Sequence, residues 1–344
     1  MPEKTTVQAQ MLANRLQKRY RHLKKWAERK EIDAFRLYDR DIPEIPLVLD
    51  FYGDCNMPEG AAICGALYKR PYEKDESDEA QWLSAMQSCA ADAIGIKREN
   101  IFIKQRKRQK GLSQYEKLNH RRFEKIIKEG GLSFKINLSD YLDTGLFIDR
   151  RLLREMVRSE SKNKKVLNLF SYTGSFSVYA AAGGAVLTDS VDLSNTYLNW
   201  AKENFSLNGF AAEIVKKSLN AQPHRLIRAD VSEFIKNAIK EKLEWDIIVV
   251  DPPAFSNSKK MTDNFDLNRD FPELLRKCIK LLAPDGKIFT SVNLKRNVPA
   301  AEKLEKDLRA MTKSKDLRVT DISGKTADED FKGRKMPKAF LIIP

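Results

Sequence analysis

Residues 165–174 read KVLNLFSYTG, and this stretch decides the fold. The apolar run 165–170 reads as a buried strand. It enters a turn, Ser171-Tyr172-Thr173-Gly174, and a helical stretch follows from about Phe176. The single glycine lets a ligand come close to the backbone. A nicotinamide-binding unit would carry G-x-G-x-x-G at this turn. The sequence is T-G-S-F-S-V instead, and Gly183-Gly184 falls inside or past the helix. With no pyrophosphate cradle, the turn suits a ligand without phosphates.

Downstream the pattern repeats. Residues 185–192 (AVLTDSVD) form the next strand, with a helix through Tyr197, Trp200 and Phe205 to Asn208-Gly209. Residues 225–230 (RLIRAD) follow, then a helix from Ser232 and a fourth strand over 245–251. A helix over 266–282 stops at Pro284-Asp285-Gly286, and 287–292 (KIFTSV) is the fifth strand. A helix over 299–312 precedes strands 317–322 and 339–343. Strands alternating with helices predict an α/β, Rossmann-like parallel sheet covered on both faces, spanning residues 139–344. Its ligand belongs beyond the carboxyl ends of the strands, at the switch point.

Three of those ends carry an acid: Asp192, Asp230 and Asp251. An acid after the second strand can accept both hydroxyls of a ribose. An acid after the third can accept from an adenine amine. Ribose and adenine without a pyrophosphate describe S-adenosylmethionine. Each acid alone could be a surface residue or a helix cap; three in succession are hard to explain that way. The fourth strand ends in VVDPPAFSNS, residues 249–258. Prolines cannot continue a central strand, so Asp251, Pro252, Pro253 and Phe255 face whatever lies beyond the sheet.

The front of the chain reads differently. Residues 8–30 form a basic amphipathic helix, with Leu12, Leu16, Tyr20, Leu23 and Ala27 at helical spacing. Arg15, Lys18, Arg19, Arg21, Lys25 and Arg29 take the other faces. An α+β pattern follows: strands over 47–52 and 61–68, a helix over 79–94 with an acidic start, and a strand over 100–104. The densest positive segment is 104–111, with Lys104, Arg106, Lys107, Arg108 and Lys110. This divides the chain into a basic helical region (1–40), a small α+β domain (41–138) and the α/β domain (139–344). The net charge is +14 over 344 residues, which points to a polyanionic partner. No apolar run approaches the ~20 residues that span a bilayer, and the polar N-terminus has no signal-peptide core. Cys55, Cys64, Cys89 and Cys278 form no C-x-x-C pair, so neither a metal site nor a disulfide framework is suggested. They read as free thiols in a reducing cytoplasm. A cytosine-C5 enzyme needs a cysteine nucleophile; Cys278 sits instead among Leu274, Leu275, Leu281 and Leu282 on a helix's apolar face.

Four segments together carry a family resemblance: YLDTGLFIDRR (141–151), NLFSYTGSFSV, VDLSNTYLNWAKENFSLNG and DPPAFSNSKKM. They resemble bacterial large-subunit ribosomal RNA methyltransferases, and most of all the C-terminal half of the bifunctional RlmKL family, which methylates guanine at N7. The likeness runs upstream through 108–111 and 114–117 to the basic helix. Enzymes of that family carry an RNA-binding module and a second methyltransferase ahead of this region; the present sequence carries neither. The resemblance implies a donor pocket lined by Phe170, Tyr172, Thr173 and Gly174. Asp192 would hold the ribose, with Leu193 and Ser194 beside it, and Asp230 the adenine, beside Val231. Phe147, Asp149 and Arg150 would close over the methionine end, and Asp251 would border the donor as well as the acceptor. Phe255 would offer a stacking face to a flipped base, worth ~1–3 kcal/mol. Asp-Pro-Pro-aromatic resembles the substrate loop of amino-group methyltransferases, but Ala254 here separates the second proline from the aromatic. Guanine N7 carries no proton, so Asp251 would position and not deprotonate. The RNA contacts would be Arg15, Lys18, Arg19, Lys25, Lys104, Arg106, Lys107, Arg108 and Lys110. Two alternatives stand beside this reading: methylation of another base atom (cytosine C5 or an exocyclic amine), and a non-catalytic RNA-binding protein with a donor-like fold.

Overall fold

A computed structural model describes residues 3–68, 75–105, 123–215, 222–253, 255–256, 265–293, 298 and 300–344. The chain forms two compact units, Met1–Thr144 with Glu329–Lys332, and Gly145–Asp328 with Gly333–Pro344.

The first unit begins with α1 (Glu3–Lys30), β1 (Ala34–Asp39), β2 (Leu47–Tyr52) and β3 (Ala62–Leu67). Then come α2 (Glu76–Ile94), β4 (Ile101–Gln105) and a hairpin of β5 (Glu124–Glu129) and β6 (Leu132–Asn137). The sheet order is β1-β2-β3-β4, antiparallel except for the β3–β4 pair, whose crossover is α2. Asp75 caps α2, its carboxylate accepting from Ser77 N at 2.8 Å. Leu12, Leu16, Leu23 and Ala27 bury their α1 face in one cluster with Phe35, Phe51, Trp82 and Met86. The basic helix therefore shares its core with the α+β sheet. The return segment Glu329–Lys332 joins the same unit: Asp330 accepts from Arg36 N at 3.0 Å.

The second unit holds α3 (Arg151–Glu160), β7 (Lys165–Leu169), α4 (Ser175–Ala182), β8 (Leu187–Asp192), α5 (Asn195–Leu207), β9 (Ala212–Val215) and β10 (His224–Arg228). It continues with α6 (Val231–Lys240), β11 (Trp245–Val250), a short ribbon of β12 (Phe255–Ser256) and β13 (Phe265–Asp266), and α7 (Leu267–Ile279). It closes with β14 (Leu282–Val292), α8 (Ala301–Thr312), β15 (Arg318–Asp321) and β16 (Lys338–Ile343). The strand order is β15-β16-β14-β11-β7-β8-β10-β9. From β9 to β14 the pairs are parallel, and helices supply the apolar cover that such strands need. Ile247, Ile248, Val249 and Val250 of β11 are all buried.

Two differences from the sequence reading stand out in this unit. The last two strands run antiparallel, β16 against β14 and β15 against β16. Between β15 and β16 the chain makes only 3-10 turns, so the helical crossover a parallel pair requires is missing. Pro284-Asp285-Gly286 lies within β14, where the register against β11 shifts and Asp285 takes φ 60°. Among the described residues no helix is long and apolar enough to cross a membrane.

One polar group lies in the sheet interior. Asp189 of β8 is fully buried and accepts from Arg225 Nε and Nη2, both at 2.6 Å, and from Trp245 Nε1 at 2.9 Å. Removing one partner of such a pair leaves an uncompensated buried charge. Arg225→Ala is expected to cost about 3–5 kcal/mol in urea unfolding of the whole chain. A loss below about 1 kcal/mol would show that water reaches Asp189.

Candidate functional site

The strands place the candidate site. From β7 the chain steps outward through β8 to β10, then returns to β11 on the other side of β7. The switch point therefore lies between β7 and β11, beyond their carboxyl ends. The loop leaving β7 has an unusual backbone: Phe170, Tyr172 and Gly174 take φ of 57°, 50° and 73°. The two aromatics pay about 1–3 kcal/mol each for that conformation. Several bonds hold it. Ser171 N donates to Val191 O (3.0 Å) and Tyr172 N to Asp192 Oδ2 (2.9 Å). Thr173 Oγ1 donates to Gly145 O (2.6 Å), and Asn204 Nδ2 to Thr173 O (2.9 Å). A Cβ on Gly174 would stand 2.8 Å from Ala201 Cβ. On that side the close approach this glycine permits is that of α5. Ser171 Oγ is buried with no hydrogen-bond partner among the described residues.

Asp192 ends β8 beside this loop. Its Oδ1 accepts from Ser194 N at 2.8 Å, and Ser194 Oγ caps α5 through Tyr197 N. Burial pushes the Asp192 carboxyl up to about 6, against the pull of the Ser194, Tyr172 and Leu193 amides. Asp230 caps α6, with Oδ1 accepting from Ser232 N (2.9 Å) and Glu233 N (3.0 Å). The Val231 side chain belongs to the hydrophobic core.

On the β11 side three ionisable groups meet. Arg150, only 6% exposed, sits at the end of a 3-10 turn, Ile148–Arg150, ahead of α3. Its Nη1 donates to Asp149 Oδ2 at 2.8 Å, its Nε to Asp251 Oδ2 at 3.2 Å and its Nη2 to Asp251 Oδ1 at 3.3 Å. Burial disfavours the guanidinium charge, but the two carboxylates outweigh it and hold the group above its ordinary value. Ser291 Oγ donates to Asp251 Oδ1 as well. Sequence reasoning missed Ser291. The available signal was register: Thr290 pairs with Val250, so the next residue of β14 stands beside Asp251. Pro252 is buried and Pro253 exposed, and the backbone of Phe255 pairs with that of Asp266. Phe147 is 42% exposed, its ring 5.2 Å from that of Tyr172, which meets Tyr197 edge-on at 4.5 Å.

The basic residues divide. Arg15 Nε donates to Asp41 at 2.7 Å, Arg19 Nη2 to Asp330 O at 3.2 Å, and Lys104 Nζ to the carbonyls of Tyr141 and Leu142. Lys18 and Lys25 are exposed. Arg106, Lys107, Arg108 and Lys110 lie outside the described residues.

Residues 59–313 match a protein family described as S-adenosylmethionine-dependent methyltransferase. The chain belongs to the S-adenosylmethionine-dependent methyltransferase family. It is 43% identical over 335 residues to "Ribosomal RNA large subunit methyltransferase K" of Neisseria meningitidis, an alignment spanning 96% of this chain and 86% of that one. It is 42% identical over 325 residues to "Ribosomal RNA large subunit methyltransferase K/L" of Shewanella sp. MR-4, spanning 94% of this chain and 42% of that longer one. The crystal structure of SMU.776 complexed with SAH aligns with a TM-score of 0.71 at 24% identity, over 98% of this chain and 82% of that one. A SAM-dependent methyltransferase from Agrobacterium tumefaciens aligns at 0.58 and 21% identity, over 90% of each. Both share the fold of this methyltransferase.

The residues present fit the family's donor. A half-buried carboxylate at the end of β8, a buried Ser171 hydroxyl without a partner among the described residues and a cluster of aromatic rings flank the switch-point loop. Asp192 would take the ribose hydroxyls, and the backbone of 170–174 would border the rest. S-adenosylmethionine supplies an electrophilic methyl group on sulfur. Asp192 is neutral below about 6 and ionised above it. Binding of the demethylated product, followed by calorimetry, is therefore expected to weaken about tenfold at one pH unit below that value. Asp192→Asn should remove this pH dependence and weaken binding near neutrality by about 1–3 kcal/mol. Affinity of the parent protein that stays flat from acid to neutral pH would take Asp192 out of the ribose site.

Proposed function

We propose that this methyltransferase acts on large-subunit ribosomal RNA and transfers the methyl group to N7 of a guanine. The names of its relatives in Neisseria and Shewanella support the substrate class. The net charge of +14 supports a polyanionic one. The observation that carries the choice of atom is the state of Asp251. Both its oxygens already accept from Arg150, and one also accepts from Ser291. A carboxylate whose two oxygens are both engaged in this way anchors the loop that follows it. Guanine N7 presents an in-plane lone pair and no proton, so no base is needed. The positive charge passes from the donor sulfur to the guanine ring, and the transfer itself releases no proton. The chain then contributes alignment and exclusion of water. Asp251, Pro252 and Pro253 set the direction of the loop leaving β11; Phe255, whose side chain lies outside the described ones, would offer the flipped base its stacking face. In this reading the first two sequence regions, 1–40 and 41–138, bind RNA, and 139–344 carries the transfer in the cytoplasm.

The cysteines speak against cytosine C5. Burial holds the Cys278 thiol up at about 12 and that of Cys89 at about 11, and it raises Cys55 and Cys64. A thiol that stays protonated is a weak nucleophile. With all four replaced by Ala or Ser, single-turnover transfer to ribosomal RNA should stay within about tenfold of the parent, provided the core tolerates the change at Cys278. With the donor saturating, the rate should also be nearly flat over the two pH units around neutrality, because no base titrates in the transfer step. Loss of transfer on replacing one cysteine, with 5-methylcytosine as the parent's product, would overturn the assignment.

A further inference from the structure

We propose that the solvent face of α1 is a rail for the phosphate backbone of a double-stranded RNA stem, an inference that rests on the RNA reading above. Lys18, Arg21, Lys25 and Arg29 are all exposed. At 100° per residue they fall within about 80° of arc, and they extend for about 16 Å along the helix. Among the described residues none of the four is held by a carboxylate. The two acids of α1 are Glu3, in its first turn, and Glu28, which meets Lys24 at 3.9 Å. The other two arginines of its middle section are committed inside the unit. Arg15 is bound to Asp41, and Arg19 to the carbonyl of Asp330. The stripe is thus what remains once the unit has used the cations it needs for itself.

The character of the stripe selects the partner. Proteins that bind single strands combine cations with aromatic platforms on which bases stack. Neither large aromatic of α1 is on this face. Tyr20 donates to Cys55 O at 2.8 Å, and Trp26 is buried in the core. His22 is paired with Glu329 at 2.8 Å. A straight row of cations without stacking surfaces matches a duplex, which proteins recognise by shape and phosphate position. The rail would hold a stem of the substrate RNA and contribute affinity, not chemistry.

The test uses the full chain with Lys18, Arg21, Lys25 and Arg29 all changed to Gln, a residue of similar helix propensity. Circular dichroism and calorimetric binding of the demethylated donor product should match the parent, which shows that the fold has survived. Binding to a plain RNA duplex should weaken roughly a hundredfold, and the slope of log affinity against log salt should fall by about three to four. On a stem-containing ribosomal RNA fragment KM should rise with kcat nearly unchanged. On a single-stranded fragment carrying the same target, KM should move less than about threefold. Unchanged duplex affinity, or equal losses on stem and single strand, would overturn the rail. If the parent binds duplex RNA with this salt dependence yet methylates no ribosomal RNA, the rail stands and the substrate reading fails.

Discussion

A buried guanidinium determines much of the site. Arg150 has almost no access to water, and an unpaired charge in such a place costs several kcal/mol. It is kept by two carboxylates, one its neighbour in sequence and the other 101 residues away at the end of β11. The segment ahead of α3 and the loop leaving β11 are therefore fastened to each other. Asp251 in turn ends a strand and is followed by two prolines, so its position sets the course of the chain beyond. Arg154, one turn further along α3, donates to Phe147 O at 3.0 Å and lies over the rings of Phe176 and Tyr179. The same short helix thus fixes both flanks of the 147–150 segment.

The loop after β7 is held as firmly as this clamp. It holds aromatic residues in a backbone region that disfavours them and offsets the cost with hydrogen bonds from β8, α5 and the 145 segment. Gly145, at φ 100°, would press a Cβ to 2.2 Å from the Trp200 ring. That segment can therefore lie directly on α5 only as glycine. Strain of this kind persists where the surroundings over-determine it, and here they do so at the switch point of the sheet.

Much of this was legible from local pattern. The buried parallel strands are apolar runs bounded by turns, and period and punctuation disclose them. Asp192, Asp230 and Asp251 stood out because each follows a strand. What escaped depends on distant partners. Arg15 meets Asp41 across 26 residues, and Arg19 meets Asp330 across 311. No window on α1 could show which of its cations were already engaged. Ser291 became visible only through the pairing of β14 with β11. The β5–β6 hairpin buries Ile127 and Phe134 but leaves Ile126 exposed, so its alternation is blurred. The antiparallel edge followed from a missing crossover helix, which apolar runs alone do not report.

In the proposed reaction a carboxylate held by Arg150 and Ser291 serves an acceptor with no proton to lose. The direct measurement is a map of modified nucleosides in ribosomal RNA, by mass spectrometry, from cells with and without this gene. Without the gene, N7-methylguanosine is expected to disappear from one position of the large-subunit RNA, and to return when the gene is restored. Loss of 5-methylcytosine or of an exocyclic methylamine, with every N7-methylguanosine intact, would contradict the proposed reaction.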